Sequence, residues 1–143
     1  MRARPQLEAF PFADAREGAA AVEFALIGPL LIALLMGIVS YGGYFWIGHS
    51  VQQLANDAAR SAIAGLTDEE RTDLARASLE AQMGAHGELR PDRLSVDVDG
   101  DNGFLTVSVD YDASGSIFWA FEKLLPMPDA QMERSATIRL GGL

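Results

Sequence analysis

The chain has no cysteine among its 143 residues. That removes disulfide frameworks, thiolate metal sites and cysteine nucleophiles together. Histidine is nearly as scarce: His49 and His86 are the two present, too few for a histidine-based metal cluster. Basic residues are also short. The 11 Lys and Arg stand against 20 Asp and Glu, for a formal net charge of −9. This argues against nucleic-acid binding, which needs a basic face. Three basic residues (Arg2, Arg4, Arg16) and four acids precede residue 49, so residues 49–143 hold 8 against 16. That acidity favours solubility and specifies no partner.

Charge of either sign is missing from Phe24 to Ile47. As a helix this run reaches ~36 Å, against about 30 Å for a bilayer core. A buried core helix is one alternative, but a chain this short has little material to surround such a run on all sides. A cleaved secretory signal is the nearer competitor, with an apolar region of about 7–15 residues ending at small residues. Here the run is longer and closes on "YFWIGHS". Tyr41, Tyr44, Phe45 and Trp46 suit the boundary between acyl chains and water. The expectation is a retained transmembrane helix. Arg2, Arg4 and Arg16 precede it, and no Lys or Arg occurs from His49 to Ala59. The N-terminus is therefore expected in the cytoplasm and residues 49–143 outside it.

After the run, Val51, Leu54, Ala55, Ala58, Ala59, Ala62 and Ile63 recur at helical spacing. No breaker intervenes, so one helix should continue from the span to near Gly65. Pro29 lies inside it, removes one backbone hydrogen bond and should kink it. "TDEE" from Thr67 is a capping-box pattern opening a second helix to about Met83, with Gly84 and Gly87 to end it. Strict alternation follows. Leu94, Val96 and Val98, then Leu105, Val107, Val109 and Tyr111 beyond "GDNG", predict a hairpin with one apolar face. Ala136, Ile138 and Leu140 fit a third strand. "SIFWAFEKLL" reads as a short helix with Ile117, Phe118, Phe121, Leu124 and Leu125 on its apolar side. The fold class is α+β: a long N-terminal membrane helix, a second helix and a small antiparallel sheet covered by the exported half of the first helix.

Two patterns imitate chemistry. "DVDGDNG" from Asp97 resembles the start of a calcium loop, but Asn102 and Ser108 stand where the turn glycine and the bidentate glutamate belong. A hairpin tip explains it. Ser50 beside His49 and Asp57 lacks a triad's geometry, because helix neighbours one apart do not face each other. No catalytic residue, metal or cofactor is expected. Trp119, outside the apolar side of its short helix, reads as a partly buried aromatic or a partner contact.

Glu23 is the exception to an otherwise apolar beginning. Within lipid a carboxylate costs about 2.5–3.5 kcal/mol at mid-span and less near the interface. Position alone allows a headgroup-solvated residue. The flanking "EGAAAVEF" allows another reading. If the chain is cut between Gly18 and Ala19, Glu23 becomes the fifth residue. Here the sequence resembles prepilins of the type IV class. More narrowly, "REGAAAVEFALIGPLLIALLMGIVSYGGYFWIGHSVQQLANDAARSAIAG" resembles the TadE-like family of minor pilins, or pseudopilins, of tight-adherence pili. Phe24 stands where major pilins of this class often carry tyrosine.

The resemblance implies a leader at 1–18, a transmembrane helix at 19–48 and an exported α+β head at 49–143. It implies cleavage by a prepilin peptidase, residence in a bacterial inner membrane with a periplasmic or extracellular head, and incorporation in the pilus or at its tip or base. The implied partners are other pilins or pseudopilins of the system, the peptidase, the inner-membrane assembly platform and membrane lipid. Glu23 would pair with the new amine of a neighbouring subunit. Gly37, Gly42 and Gly43 would permit close helix packing, or are ordinary glycines of a membrane helix. The rival reading is an uncleaved single-span protein whose exported head binds other envelope proteins.

Overall fold

A computed structural model describes residues 15–83 and 89–141. It shows two helices and one sheet. Helix α1 runs Ala15–Ala62 and α2 runs Asp68–Met83. Strands β1 (Leu94–Asp101), β2 (Phe104–Asp112) and β3 (Gln131–Arg139) form an antiparallel sheet in the order β1-β2-β3. The fold is thus α+β, as the sequence predicts. The first compact unit ends at Gly37 and the second begins at Ile38. Helix α1 contributes residues to both.

Among the described residues of the first unit, α1 is the one element. Leu26, Leu30, Leu31 and Ile32 are all more than half exposed. The helix is long and apolar enough to cross a membrane, and nothing in its most apolar stretch is buried within the protein. Such a surface in water would be a large uncovered apolar patch, which soluble proteins avoid. Lipid removes that cost.

In the second unit the same helix becomes one wall of a core. Ile47, Val51, Leu54, Ala55, Ala58, Ala59 and Ala62 are buried with Leu105, Val107, Val109 and Tyr111 of β2 and Met132 and Ala136 of β3. The spacing of the helical set is the stripe read from the sequence except at its end: α1 stops at Ala62, short of Gly65, and Ile63 lies past it and is exposed. The set's alanines Ala55, Ala58, Ala59 and Ala62 are all fully buried. Ala75, Leu79 and Met83 of α2 complete the core. Gly84 and Gly87, expected to end α2, lie outside the described residues.

The local devices match their chemistry. The Glu70 N–H donates to Thr67 Oγ1 at 3.2 Å, which caps α2. The returning bond goes from the Leu66 N–H to Glu70 Oε2 at 2.9 Å, one residue earlier than in the simple capping box. Asp101 pairs with Phe104 across the β1–β2 turn. Asn102 and Gly103 there have φ of 50° and 80°, the left-handed pair a two-residue hairpin favours. The apparent calcium pattern is this hairpin tip.

Two expectations need correction. Strand β3 begins at Gln131, earlier than Ala136, and Leu140 lies just past its end, where its N–H donates to Gly103 O at 2.8 Å. The "SIFWAFEKLL" segment is not a regular helix. It makes a 3₁₀ turn at Ile117–Trp119 and continues in turns. Its sides are also mixed: Trp119 is buried and Phe118, Phe121 and Leu125 are half-buried, whereas Ile117 and Leu124 of the expected apolar side are exposed. Ser116 and the prolines at 126 and 128 leave too few residues between them for a stable helix, so packing decides the conformation.

The cap gives a simple test. Thr67→Ala should lower unfolding free energy by about 1 kcal/mol, while Thr67→Ser should retain most of it. Urea unfolding of the detergent-solubilised protein reads the difference.

Candidate functional site

The residues of the "GAAAVEF" motif all lie on α1. Gly18 and Ala19 fall close to its start at Ala15, and Glu23 lies one turn beyond Ala19. Gly18 is exposed, and a Cβ added there would meet nothing within 4 Å. Ala19 and Glu23 are likewise exposed. Peptidases bind extended backbone, so cutting between Gly18 and Ala19 would require α1 to open around Gly18. Glycine is a weak helix former by about 1 kcal/mol relative to alanine, which lowers the cost of opening there. A helix beginning at Ala19 would place Glu23 near its N-terminal end, where the helix dipole favours a negative charge.

Pro29 sits inside α1, and the helix continues past it. Proline has no N–H, so the Ala25 carbonyl loses its usual helical donor. Within the uncharged run the Phe24 ring lies over Gly28, where an added Cβ would be 3.8 Å from it.

The glycines divide by environment. Gly37 and Gly42 have open space where a side chain would project. Gly43 does not. A Cβ there would overlap the ring of Phe118. The ring therefore lies against the bare helix backbone. Around it, the Tyr41 hydroxyl donates to the Pro126 carbonyl. Tyr44 and Trp119 stack obliquely with ring centroids 6.0 Å apart. Ser40, at 0 % exposure, lies on the same part of α1. The segment between β2 and β3 is thus folded onto α1 at residues 41–44. Its start is fixed by Asp112, which accepts the Ser114 N–H at 2.9 Å and faces Arg93 Nη1 at 3.4 Å. Hydrogen bonds from Ser114, and then the Arg93 charge, hold the Asp112 carboxyl below the usual carboxylate range.

Sequence reasoning missed this contact and one other. Arg134 shares the inward parity of Met132 and Ala136 on β3. Its Nη2 would stand 3.1 Å from a Cβ at Gly48. The guanidinium therefore lies over another side-chain-free position of α1, beside His49 and Gln52. The alternation in "MERSATIR" was the available signal, since it places Arg134 in phase with the buried residues. Among the described residues, no group of three or more His, Asp or Glu could hold a metal ion.

These features describe an α+β protein with, among the described residues, one helix long and apolar enough to span a membrane. A family model described as TadE-like protein matches residues 18–60, the segment from the glycine of the motif through most of α1. That segment is TadE-like in sequence, in agreement with the resemblance carried by its motif. Comparisons with curated proteins and with solved structures give no match.

The Gly43 contact predicts a contrast. Gly43→Ala should destabilise the second unit by about 1–3 kcal/mol through overpacking. Gly42→Ala should be neutral or slightly stabilising. Adding Phe118→Ala to Gly43→Ala should remove the steric part of the loss. Thermal unfolding of the four proteins in detergent, scored against Phe118→Ala alone, measures the coupling.

Proposed function

We infer that this chain is a minor pilin or pseudopilin of a tight-adherence pilus system, a substrate of a prepilin peptidase and not itself an enzyme. The observation that carries this reading is the TadE-like segment at 18–60, with Gly18, Ala19 and Glu23 in order on a helix fit to cross a bilayer. Cleavage after Gly18 frees an α-amine on Ala19, a cation at neutral pH. In a bundle of such helices the amine of one subunit lies near Glu23 of the next. Each charge alone in a low-dielectric bundle is heavily penalised, and the pair much less so. Pairing therefore sets the axial register between subunits, as a buried polar pair does in a coiled coil.

The N-terminus of the mature protein tests the cleavage step. Intact-mass analysis of membrane-extracted protein should give a chain starting at Ala19. A chain starting at Met1, in cells with an active prepilin peptidase, supports instead an uncleaved, membrane-tethered head. Gly18→Val should block processing. Glu23→Ala should be processed normally yet enter pili, or their initiating complex, poorly. Normal piliation by Glu23→Ala would remove the pairing role while leaving the cleavage step standing.

A further inference from the structure

We propose that the segment from Ser116 to Pro128 is a membrane-interface anchor, inserting Ile117 and Leu124 into the leaflet from which the second unit emerges. The proposal rests on α1 crossing the bilayer, and it adds a second point of lipid contact far away in sequence.

Three observations converge. First, the segment is packed on α1 where the uncharged run ends: Phe118 on Gly43, Pro126 at Tyr41 and Trp119 at Tyr44. Whatever depth those helix residues occupy, the segment shares. Aromatic residues ending an apolar span belong at the headgroup boundary. Second, the segment turns large apolar groups outward. Ile117 is 77 % exposed and Leu124 75 %, although Trp119 between them is buried. A segment folded only for its own core would bury the aliphatic residues as well. Third, the helix shows the same preference beside them. Phe45 is 68 % exposed, and Trp46, which shares a cleft with Ile117, is 41 % exposed. Trp46 and Ile117 thus expose apolar surface side by side near the end of the uncharged run.

Charge identifies the chemistry of the partner. From Ser116 to Pro128 the ionisable residues are Glu122 and Lys123, adjacent and of opposite sign. The segment has no basic patch to select anionic lipid. Its attraction is apolar burial at the interface, indifferent to headgroup charge.

The absence of cysteine makes the test clean. Single variants Ile117→Cys, Leu124→Cys, Leu31→Cys and Asp99→Cys of the full chain would each carry an environment-sensitive fluorophore. They would be reconstituted into phosphatidylcholine vesicles with no other protein. Labels at 117 and 124 should be blue-shifted, and quenched several-fold more than the Asp99→Cys label by lipid spin-labelled near its headgroup. Adding phosphatidylglycerol should change this little. The Leu31→Cys label should respond to quenchers placed deep in the bilayer. If 117 and 124 behave like Asp99 while 31 lies in lipid, the anchor is overturned and the span survives. The anchor is equally overturned if they are shielded only when another pilin is added, or only by anionic lipid. If 31 is also in water, span and anchor fall together.

Discussion

The second unit depends on one constraint: its sheet has an apolar face, and the wall opposite is part of α1. Three strands alone cannot bury such a face. Each Val or Leu of β2 removed from water contributes about 1.5–3 kcal/mol, and that gain requires a surface to pack on. Helix α1 supplies it through Val51, Leu54 and the alanines from Ala55 to Ala62. The same helix is apolar on all sides from Phe24 to Gly37 and one-sided after Ile47. Its change of character along the chain matches the change from a candidate membrane span to one wall of a protein core with a wet outer face.

Small residues mark the other contacts of this wall. Ala58, Ala59 and Ala62 are fully buried, while Gly43 and Gly48 let Phe118 and Arg134 lie on the backbone itself. Glycine in a membrane helix usually suggests packing against another helix. At Gly43 a ring from the same chain occupies the space. Gly37 and Gly42 remain the positions of that set with free space beside them.

Most of this architecture was legible because it is local. The helical stripe, the "TDEE" cap and the strand alternation are periodicities or short motifs, and each is decided within a few residues. The segment after β2 was not legible for the opposite reason. Its apolar residues can be sorted into helix faces on paper, but the real arrangement is set by Gly43 and Tyr44, far away in sequence. Phe118 and Trp119 turn inward because a bare stretch of helix is there to receive them, and Ile117 is left outside. Arg134 was overlooked because an arginine among buried positions reads as an interruption until Gly48 is seen beneath it. At the N-terminal motif the residue order was readable. Whether Glu23 lies in lipid or at its edge was not, since that depends on where the span ends.

The Phe118 contact narrows that question. The uncharged run extends to Ile47, but from about Ser40 onward the chain's own segment packs on α1. If Gly43 marks the outer edge of the hydrocarbon, a core about 30 Å thick takes up about 20 helical residues. Counted back from Gly43, that length ends at Glu23. The carboxylate then sits at the opposite boundary of that hydrocarbon, where ionisation costs far less than at mid-span. Movement of the helix outward along its axis would carry the charge about 5.4 Å deeper into hydrocarbon with every turn. Under the function proposed above, a neighbouring amine would offset that cost, so the partner would matter more to a displaced helix than to a resting one.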